Sequence, residues 1–306
     1  MSPRLVLLVA IGWLLVGWAA AADRFSVATF NVENYLAVPV PGRTTKPAEA
    51  KARVRDTLLA VRADILAVQE MGGTNALLEL RAALAAGGWQ YPHWEHVSGH
   101  DPHIHVALLS RFPIVARRAH TDDNFLLQGR RFHVSRGFLE ADLQVGPSSR
   151  VTVMVAHLKS KRPVPEADQA ELREQEARLL REKIDAHLNA RPDAPLLVLG
   201  DFNDTRAAKP VRILIGRGRT ALVDVRPEEA FRVQPDAPFQ RSAANITWTY
   251  FYAREDTYSR FDYVLVNRVL ADRLVPEQTC VVALPWWRVA SDHRPVLATF
   301  SLGKGP

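Results

Sequence analysis

The sequence predicts a two-sheet sandwich flanked by helices, a fold of the α/β (α+β) class. Many strand-like runs are mixed with a few long helical patterns, and the two kinds of pattern do not alternate strictly along the chain. The sequence contains neither a Gly-x-Gly-x-x-Gly nor a Gly-x-x-x-x-Gly-Lys element, which argues against a dinucleotide-binding parallel sheet and against a P-loop. A sandwich therefore fits the order of elements better than a parallel Rossmann sheet.

Strands are predicted where residues alternate between apolar and polar or form short apolar runs between turn residues. Residues 25–32 alternate and are rich in β-branched and aromatic side chains. Pro113 and the pair Gly146-Pro147 mark turns in the middle of the chain. The predicted strands are residues 25–32, 65–68, 105–109, 114–118, 138–145, 151–156, 196–199, 245–250, 261–267 and 296–300.

Helices are predicted between some of these strands. After a Pro- and Gly-punctuated loop, residues 39–47, the first helical pattern places Val54 and Leu58 on about one face. Residues 75–86 predict a second helix, which Gly87-Gly88 ends. The longest pattern, residues 166–189, is amphipathic and stops at Arg191-Pro192. Its predicted buried stripe consists of Leu172, Leu179, Leu180, Ile184 and Leu188.

Residues 1–22 have the order of a secretory signal peptide. Arg4 precedes an apolar stretch, residues 5–18, that ends in four alanines. The pattern predicts cleavage after Ala22 and a secreted or periplasmic protein. A retained membrane anchor is the alternative, because the apolar stretch with its alanines approaches the minimum spanning length. Cys280 is the only cysteine, so lipid attachment at the cleavage site and a disulfide within the chain are both ruled out.

Residues 23–306 are predicted to form a single domain and a monomer, without stable membrane insertion once the signal is removed. No low-complexity tract, long polar linker or internal repeat divides this stretch. The net charge of +6 favours an anionic partner such as nucleic acid, a phospholipid headgroup or a phosphorylated metabolite.

Polar side chains stand at the ends of several predicted strands. Taken singly, an Asp or Asn after a strand is usually a turn former, and a lone histidine is usually an interior residue. The shared layout allows all of these groups to converge at one end of one sandwich, where carboxylate, amide and imidazole groups can bind a divalent cation and move protons. The strand-end segments are residues 31–34, 69–70, 156–160, 200–203, Asp262 and residues 291–293.

These segments resemble the motifs of the endonuclease/exonuclease/phosphatase superfamily, which includes deoxyribonuclease I. The matches occur in family order from about Phe25 to Phe300. The resemblance implies a four-layered sandwich, in which two mixed β-sheets pack face to face and are flanked by helices, and hydrolysis of phosphoesters assisted by Mg²⁺ or Mn²⁺. The matching stretches are residues 29–33, 68–70, 107–113, 136–139, 157–160, 199–204, 261–264 and 291–295.

The resemblance also implies a role for each matched residue. Asn31, Glu70 and Asp292 would hold the cation through amide and carboxylate oxygens, with Glu33 as a further ligand. His293 would act with Asp262, the carboxylate that orients its imidazole.

On the phosphate side, the resemblance implies four further roles. Asp201 would position or deprotonate the attacking water, and Asn203 would donate a hydrogen bond to a non-bridging oxygen. His157 would supply a second proton-transfer or phosphate-binding group. Arg136 and Lys159 fit as phosphate clamps, and the alternative for either cation is an ordinary surface charge.

One position departs from the family pattern. Nucleases of this group commonly carry an acid that partners the histidine matched by His157, but the corresponding position here is His105, and Asp101 is the carboxylate that could replace it. The surrounding segment is rich in histidine, which indicates either an accessory transition-metal site or a solvated loop, with the loop favoured. The histidines of this segment are His93, His96, His100, His103 and His105.

The favoured function is an exported, divalent-metal-dependent nuclease that acts on DNA, because positive charge, export and the matched residues agree. The same groups would serve a phosphodiesterase or phosphatase acting on a lipid headgroup, as a sphingomyelinase does, or on a small phosphoester. A protein of another class, which binds an anionic ligand and has lost turnover, is supported only by the acid missing beside His157.

Overall fold

Three buried apolar clusters separate four layers of secondary structure in the computed structural model, which describes residues 23–231 and 237–303. The central cluster lies between two β-sheets and includes Val27 and Leu197. The second cluster packs the larger sheet against one helical layer through residues such as Leu58, and the third packs the smaller sheet against another through residues such as Ile184. The predicted four-layered sandwich is confirmed.

The elements are numbered in chain order. The strands are β1 (Arg24–Tyr35), β2 (Ile65–Met71), β3 (His93–Val97), β4 (His105–Ser110), β5 (Ile114–His120), β6 (Asn124–Leu127), β7 (Arg130–His133), β8 (Phe138–Gln144), β9 (Arg150–His157), β10 (Leu196–Asp201), β11 (Val223–Asp224), β12 (Glu228–Phe231), β13 (Gln240–Arg241), β14 (Tyr250–Tyr252), β15 (Thr257–Ser259), β16 (Asp262–Val266), β17 (Cys280–Ala283) and β18 (Val296–Ser301). The helices are α1 (Ala48–Val61), α2 (Thr74–Ala86), α3 (Gln169–Ala190), α4 (Lys209–Ile215), α5 (Arg268–Ala271) and α6 (Trp287–Ala290).

Both sheets mix parallel and antiparallel pairs. The larger sheet has the order β13-β12-β17-β18-β1-β2-β4-β3, and the smaller sheet has the order β11-β16-β10-β9-β8-β5. In the larger sheet β1 is parallel to β2 and antiparallel to β18, and in the smaller sheet β10 is parallel to β9 and antiparallel to β16. The carboxyl ends of β1 and β2 therefore lie side by side in the larger sheet, and those of β9 and β10 lie side by side in the smaller sheet.

Strand β10 shows why a central strand can carry a continuous apolar run, here residues 196–199. Leu197 and Leu199 face the cluster between the sheets, whereas Leu196 and Val198 face the cluster beneath α3 and α4. Successive side chains of a strand point to opposite faces, so a strand that is covered on both faces carries an unbroken apolar run.

The structure corrects two predicted elements. The predicted strand 245–250 is wrong for most of its length, because only Tyr250 belongs to a strand. The helix predicted to start at residue 166 begins at Gln169, because the Asp168 side chain accepts two backbone N–H bonds, at 2.8 and 3.0 Å, and so caps it there. No sequence pattern predicted the hairpins β6-β7 and β14-β15, the short helices α4, α5 and α6, or the strands β3, β11, β12, β13 and β17.

The predicted signal peptide, residues 1–22, lies outside the described residues, so cleavage and export stay predictions. Within residues 23–231 and 237–303, no helix has both the length and the apolar character needed to cross a membrane.

Gly200 lets β9 and β10 approach each other directly before Asp201. Its φ is +140°, and a Cβ atom at this position would lie 1.9 Å from the carbonyl oxygen of Ala156. We expect Gly200→Ala to lower the free energy of unfolding in urea by about 3 kcal/mol, because backbone would have to move. Gly129→Ala is the control: its φ is also positive, +78°, but nothing lies within 4 Å, so we expect a loss of about 1 kcal/mol. Equal losses would contradict this explanation.

Candidate active site and metal centre

The two sheets bring their polar strand ends together at one edge of the sandwich. Asn31 lies near the end of β1, beside Gln69 of β2. In the other sheet Asp201 ends β10, where it pairs with His157 of β9 on one side and with Asp262 of β16 on the other. Because β16 runs antiparallel to β10, the first residue of β16 lies beside the last residue of β10.

The buried side chain of Asn31 joins the two sheets. Its Nδ2 donates a hydrogen bond to Asp201 Oδ2 at 3.0 Å and lies 3.5 Å from Glu70 Oε1. Its Oδ1 accepts a hydrogen bond from the backbone N–H of Glu33 at 3.0 Å. One amide therefore connects the predicted metal ligand Glu70 to the predicted base Asp201.

The backbone around these carboxylates is strained. The φ angles of Glu33, Asn34 and Glu70 are +45°, +52° and +57°, in the left-handed region that side chains other than glycine rarely adopt. Such residues cost about 1–3 kcal/mol each and cluster at functional sites. The register between β2 and β4 shifts within the segment that contains Glu70, and the Glu70 carboxylate accepts the backbone N–H of Asn34 at 3.0 Å.

Glu33, Glu70 and Asp292 put negative charge on this side of the site, although their carboxylates do not bring three ligand atoms within 4.8 Å of one another. Burial, and then the negative charges of Glu33 and Glu70, raise the pKa of Asp292 to about 7. Carboxylates that repel one another in this way are stabilised by a divalent cation. The carboxylate oxygens of Glu70 and Asp292 are hard donors that suit Mg²⁺ or Mn²⁺. Asn31 turns its amide nitrogen toward Glu70, and its oxygen accepts the backbone N–H of Glu33. The two carboxylates therefore fit, by their chemistry, the cation that the family resemblance implies.

A second group of possible metal ligands is more deeply buried. Asp201, Asp262 and His293 place one ligand atom each within 4.8 Å of one another. His293 Nδ1 lies 2.8 Å from Asp262 Oδ2, and its Nε2 lies 3.7 Å from Asp201 Oδ2. The short contact is a hydrogen bond that fixes the imidazole and leaves Nε2 facing Asp201. This group therefore offers both a possible metal site and a charge pair suited to proton transfer.

The buried titratable groups differ in their protonation. Burial lowers the pKa of His293, but the carboxylates of Asp262 and Asp201 outweigh it and raise that pKa well above its ordinary value. Burial raises the pKa of Asp201 to about 7. Burial, and then the positive charge of Arg136, hold the pKa of His157 well below its ordinary value. At neutral pH His293 is therefore a cation, His157 is neutral and Asp201 can exchange a proton.

His157 faces the site without a fixed partner. Neither of its buried ring nitrogens has a hydrogen bond within the described part of the chain, and Nε2 lies 3.5 Å from Asp201 Oδ2. Asp101 does not reach His157; its carboxylate lies 3.7 Å from Arg43 and 3.9 Å from Arg136. A buried imidazole with unused nitrogens marks a place where a substrate atom can bind.

The two predicted phosphate clamps have different surroundings. Arg136 is only 5% exposed, and its Nη1 donates to the carbonyl oxygen of Leu158 at 3.4 Å, so it is not an ordinary surface charge. The ammonium group of Lys159 instead donates to the carbonyl oxygens of Ser160 and Arg162, at 3.2 and 3.0 Å. Lys159 therefore stabilises its own loop in this structure.

Asn203 orients the carboxylate of Asp201. Its backbone N–H donates to Asp201 Oδ1 at 2.8 Å, and its Nδ2 lies 3.3 Å from Asp201 Oδ2 and 3.0 Å from the carbonyl oxygen of Leu158. Its φ of +52° adds a fourth strained residue to the site. The family resemblance implied that the Asn203 side chain donates to a phosphate oxygen, but in this structure its amide lies beside Asp201.

Two supporting residues, Ser291 and Thr249, had no predicted role. Ser291 Oγ donates to the carbonyl oxygen of Asn31 at 2.7 Å and accepts the backbone N–H of His293 at 3.0 Å. Thr249 Oγ1 accepts the backbone N–H of Asp262 at 3.1 Å. Ser291 stands inside a recognised motif and could have been found there. Thr249 lies in an irregular segment and carries no sequence signal.

The histidine-rich segment does not form one cluster. His93 and His96 belong to β3, and His96 packs edge-on against His105 with ring centroids 4.9 Å apart. His100 stacks instead on His133, also at 4.9 Å. Among residues 23–231 and 237–303, three or more metal-ligating side chains converge only in the buried group already described. The accessory metal site is therefore not supported.

Comparisons with known proteins agree with this architecture. A family model described as the Endonuclease/Exonuclease/phosphatase family matches residues 28–293. The human Nocturnin catalytic domain with bound sulfate anion is 15% identical, with a TM-score of 0.63 over 91% of this chain and 94% of that chain. An endonuclease/exonuclease/phosphatase from Bacteroides vulgatus is 19% identical, with a TM-score of 0.61 over 92% and 99%. Beta toxin from Staphylococcus aureus is 15% identical, with a TM-score of 0.62 over 90% and 99%. No curated protein sequence matches.

Proposed function

Because the chain belongs to the endonuclease/exonuclease/phosphatase family, we propose that it is a divalent-metal-dependent phosphodiesterase that hydrolyses nucleic acid, with DNA as its substrate. The observation that carries the proposal is the convergence of an oxygen-rich ligand group, the His293–Asp262 pair and the unpartnered His157 at one edge of both sheets. The net charge of +6 supports a polyanionic substrate.

Asn31, Glu70 and Asp292 would hold Mg²⁺ or Mn²⁺, with Glu33 beside them. When bound, the cation neutralises charge on the phosphate and stabilises the departing oxygen. The backbone N–H of Asn34 and the amide of Asn31 hold the Glu70 carboxylate in place before any cation binds.

The proton chemistry falls to the buried group. Asp201 accepts a proton from the attacking water, and a pKa near 7 suits a base that works at neutral pH. Asn203 orients that carboxylate through two hydrogen bonds. His293, held as a cation by Asp262, stabilises negative charge on the phosphoryl oxygens. His157, which is neutral, forms a hydrogen bond with the substrate.

A lipid headgroup is the second candidate substrate, and the β14-β15 hairpin favours it. Tyr250 packs against His293 with ring centroids 4.8 Å apart. Tyr258 is 51% exposed and lies beside Trp248, with their ring centroids 4.9 Å apart. Exposed aromatic rings with a polar edge suit the interface between lipid and water.

Incubation of the purified protein with plasmid DNA and, separately, with sphingomyelin vesicles tests the proposal. Each substrate is given Mg²⁺, Mn²⁺ or EDTA. We expect plasmid cleavage that EDTA abolishes and added Mn²⁺ restores, because the carboxylate group needs a cation to bind the phosphate. If sphingomyelin is hydrolysed and the plasmid stays intact, the protein is a lipid phosphodiesterase and the nuclease proposal is wrong. Binding of DNA without turnover of any substrate would identify a catalytically impaired binding protein.

A further inference from the structure

A cleft of about 510 Å³ opens beside the metal-binding carboxylates. We call it the side cleft. Its inner wall is formed by Glu33 and Asn34, two of the strained residues at the end of β1. Residues 42–47 and the start of α1 form one side, and Arg162 and Val289 contribute to the lining. Because the backbone N–H of Asn34 bonds the Glu70 carboxylate at 3.0 Å, the side cleft adjoins the predicted metal ligands.

Two cations of the side cleft are anchored to its inner wall. The buried Lys46 donates through Nζ to Glu33 Oε2 at 3.2 Å and to a backbone carbonyl at 2.8 Å, so its charge balances that of Glu33. Arg43 donates through Nη1 to the side-chain oxygen of Asn34, and its Nη2 lies 3.7 Å from Asp101. The Arg43 side chain is 23% exposed, and a guanidinium has more N–H donors than these contacts use.

Arg162 is the exposed cation of the side cleft, and within the described ranges it has no carboxylate partner. Its backbone carbonyl accepts the Lys159 ammonium at 3.0 Å, which fixes the position of the loop and leaves the guanidinium free. Thr44 and Thr45 add hydroxyl groups to the lining. Lys46 is paired with Glu33 and Arg43 lies close to Asp101, so Arg162 is the cation of the lining without an acidic partner in the described part of the chain, and Glu49 is the remaining acid.

We propose that the side cleft binds a second phosphate of the substrate, next to the phosphate that is hydrolysed; the inference rests on the proposed function. Guanidinium and hydroxyl groups are suited to phosphate oxygens. The hydrolysed phosphate would lie at Asp201 and His293, which do not line the side cleft. The site therefore selects substrates with successive phosphates, as in a polynucleotide. A headgroup with one phosphate and a terminal cation is disfavoured, because Arg162 would repel that cation.

Binding of a fluorescein-labelled single-stranded oligonucleotide in EDTA tests the inference without turnover. We expect Arg162→Ala to raise Kd about tenfold at low salt, and to reduce the dependence of Kd on salt by about one released ion. Arg268→Ala is the matched control. It removes the same charge from an exposed position on α5 that is far from the site. The neighbouring residue Asn267 donates its backbone N–H to Leu196, which lies at the opposite end of β10 from Asp201. We expect this control to bind as the wild type does.

Hydrolysis of bis-p-nitrophenyl phosphate, which carries one phosphate, separates the two phosphate positions. We expect Arg162→Ala to raise KM about tenfold for the oligonucleotide and less than about twofold for the small substrate. Equal losses with both would place Arg162 at the hydrolysed phosphate and overturn the inference, as would equal oligonucleotide affinity of the Arg162 and Arg268 variants. If the Arg162 variant loses affinity in a protein that hydrolyses neither substrate, the proposed function fails and the side cleft remains a phosphate site.

Discussion

Replacement of His293 by asparagine is expected to lower kcat for bis-p-nitrophenyl phosphate about 1,000-fold in the presence of Mn²⁺. The imidazole lies between two buried carboxylates, 2.8 Å from Asp262 and 3.7 Å from Asp201. The substitution removes the positively charged imidazole of His293. In the proposed mechanism this group stabilises the phosphate, and it also stabilises the ionised form of Asp201. Asparagine can still donate a hydrogen bond to Asp262, so that carboxylate is not left buried without a partner.

Two controls separate this loss from unfolding. His93→Asn changes a histidine of β3 that lies far from the site. His93 pairs with Ser110 of β4, and Ser110 pairs in turn with Ile65, at the opposite end of β2 from Glu70. This variant is expected to keep full activity. The double variant of His293 and Asp262 is expected to be no slower than His293→Asn alone, because the pair acts as one unit. A folded His293→Asn protein with a kcat within tenfold of the wild type would contradict the assigned role.

Glu70→Gln is expected to weaken Mn²⁺ binding about 100-fold, as measured by isothermal titration calorimetry. Glutamine preserves the shape of the side chain and its acceptor oxygen for the Asn34 N–H, but removes the negative charge that attracts the cation. The same variant is expected to lose the rise in melting temperature that Mn²⁺ produces in the wild type, because this rise follows the affinity.

The metal-free Glu70→Gln protein is expected to be at least as stable as the wild type. The Glu70 charge helps to raise the pKa of Asp292, and its removal relieves repulsion between the two carboxylates. Glu182→Gln, an exposed position in the middle of α3, is the matched control and should change neither Mn²⁺ affinity nor stability. Unchanged Mn²⁺ affinity in Glu70→Gln would show that Glu70 is not a ligand.

The central strands could be predicted because burial dictates their residues. Strand β10 is covered on both faces, so its sequence is continuously apolar and the prediction is confirmed. The short strands β6, β7, β13 and β14 lie at edges or in hairpins outside the main sheets, where few side chains are buried and no periodicity develops. For that reason the strand predicted at residues 245–250 was wrong and the true hairpin beside it was not found.

The sequence predicted which residues form the site, but not which contacts they make with one another. Strand ends indicated Asn31, Asp201 and Asp262, and the structure places them together. The contact between Arg43 and Asp101, which leaves His157 without that carboxylate, depends on a loop whose conformation no local pattern specifies. Lys46 has no sequence signal either, because its partners lie in β1 and at the end of α6.

The sequence by itself determined which segments become buried strands and helices, because local periodicity and turn residues reflect whether one face or both will be covered. It also determined which polar residues stand at the strand ends. Only the tertiary structure decided that the two sheets present those ends at a shared edge and that Asn31 of one sheet bonds Asp201 of the other. It also decided that a cleft lined by Arg43 and Arg162 adjoins Glu33. Those features depend on contacts between residues far apart in the chain, and such contacts leave no periodic trace in a single sequence.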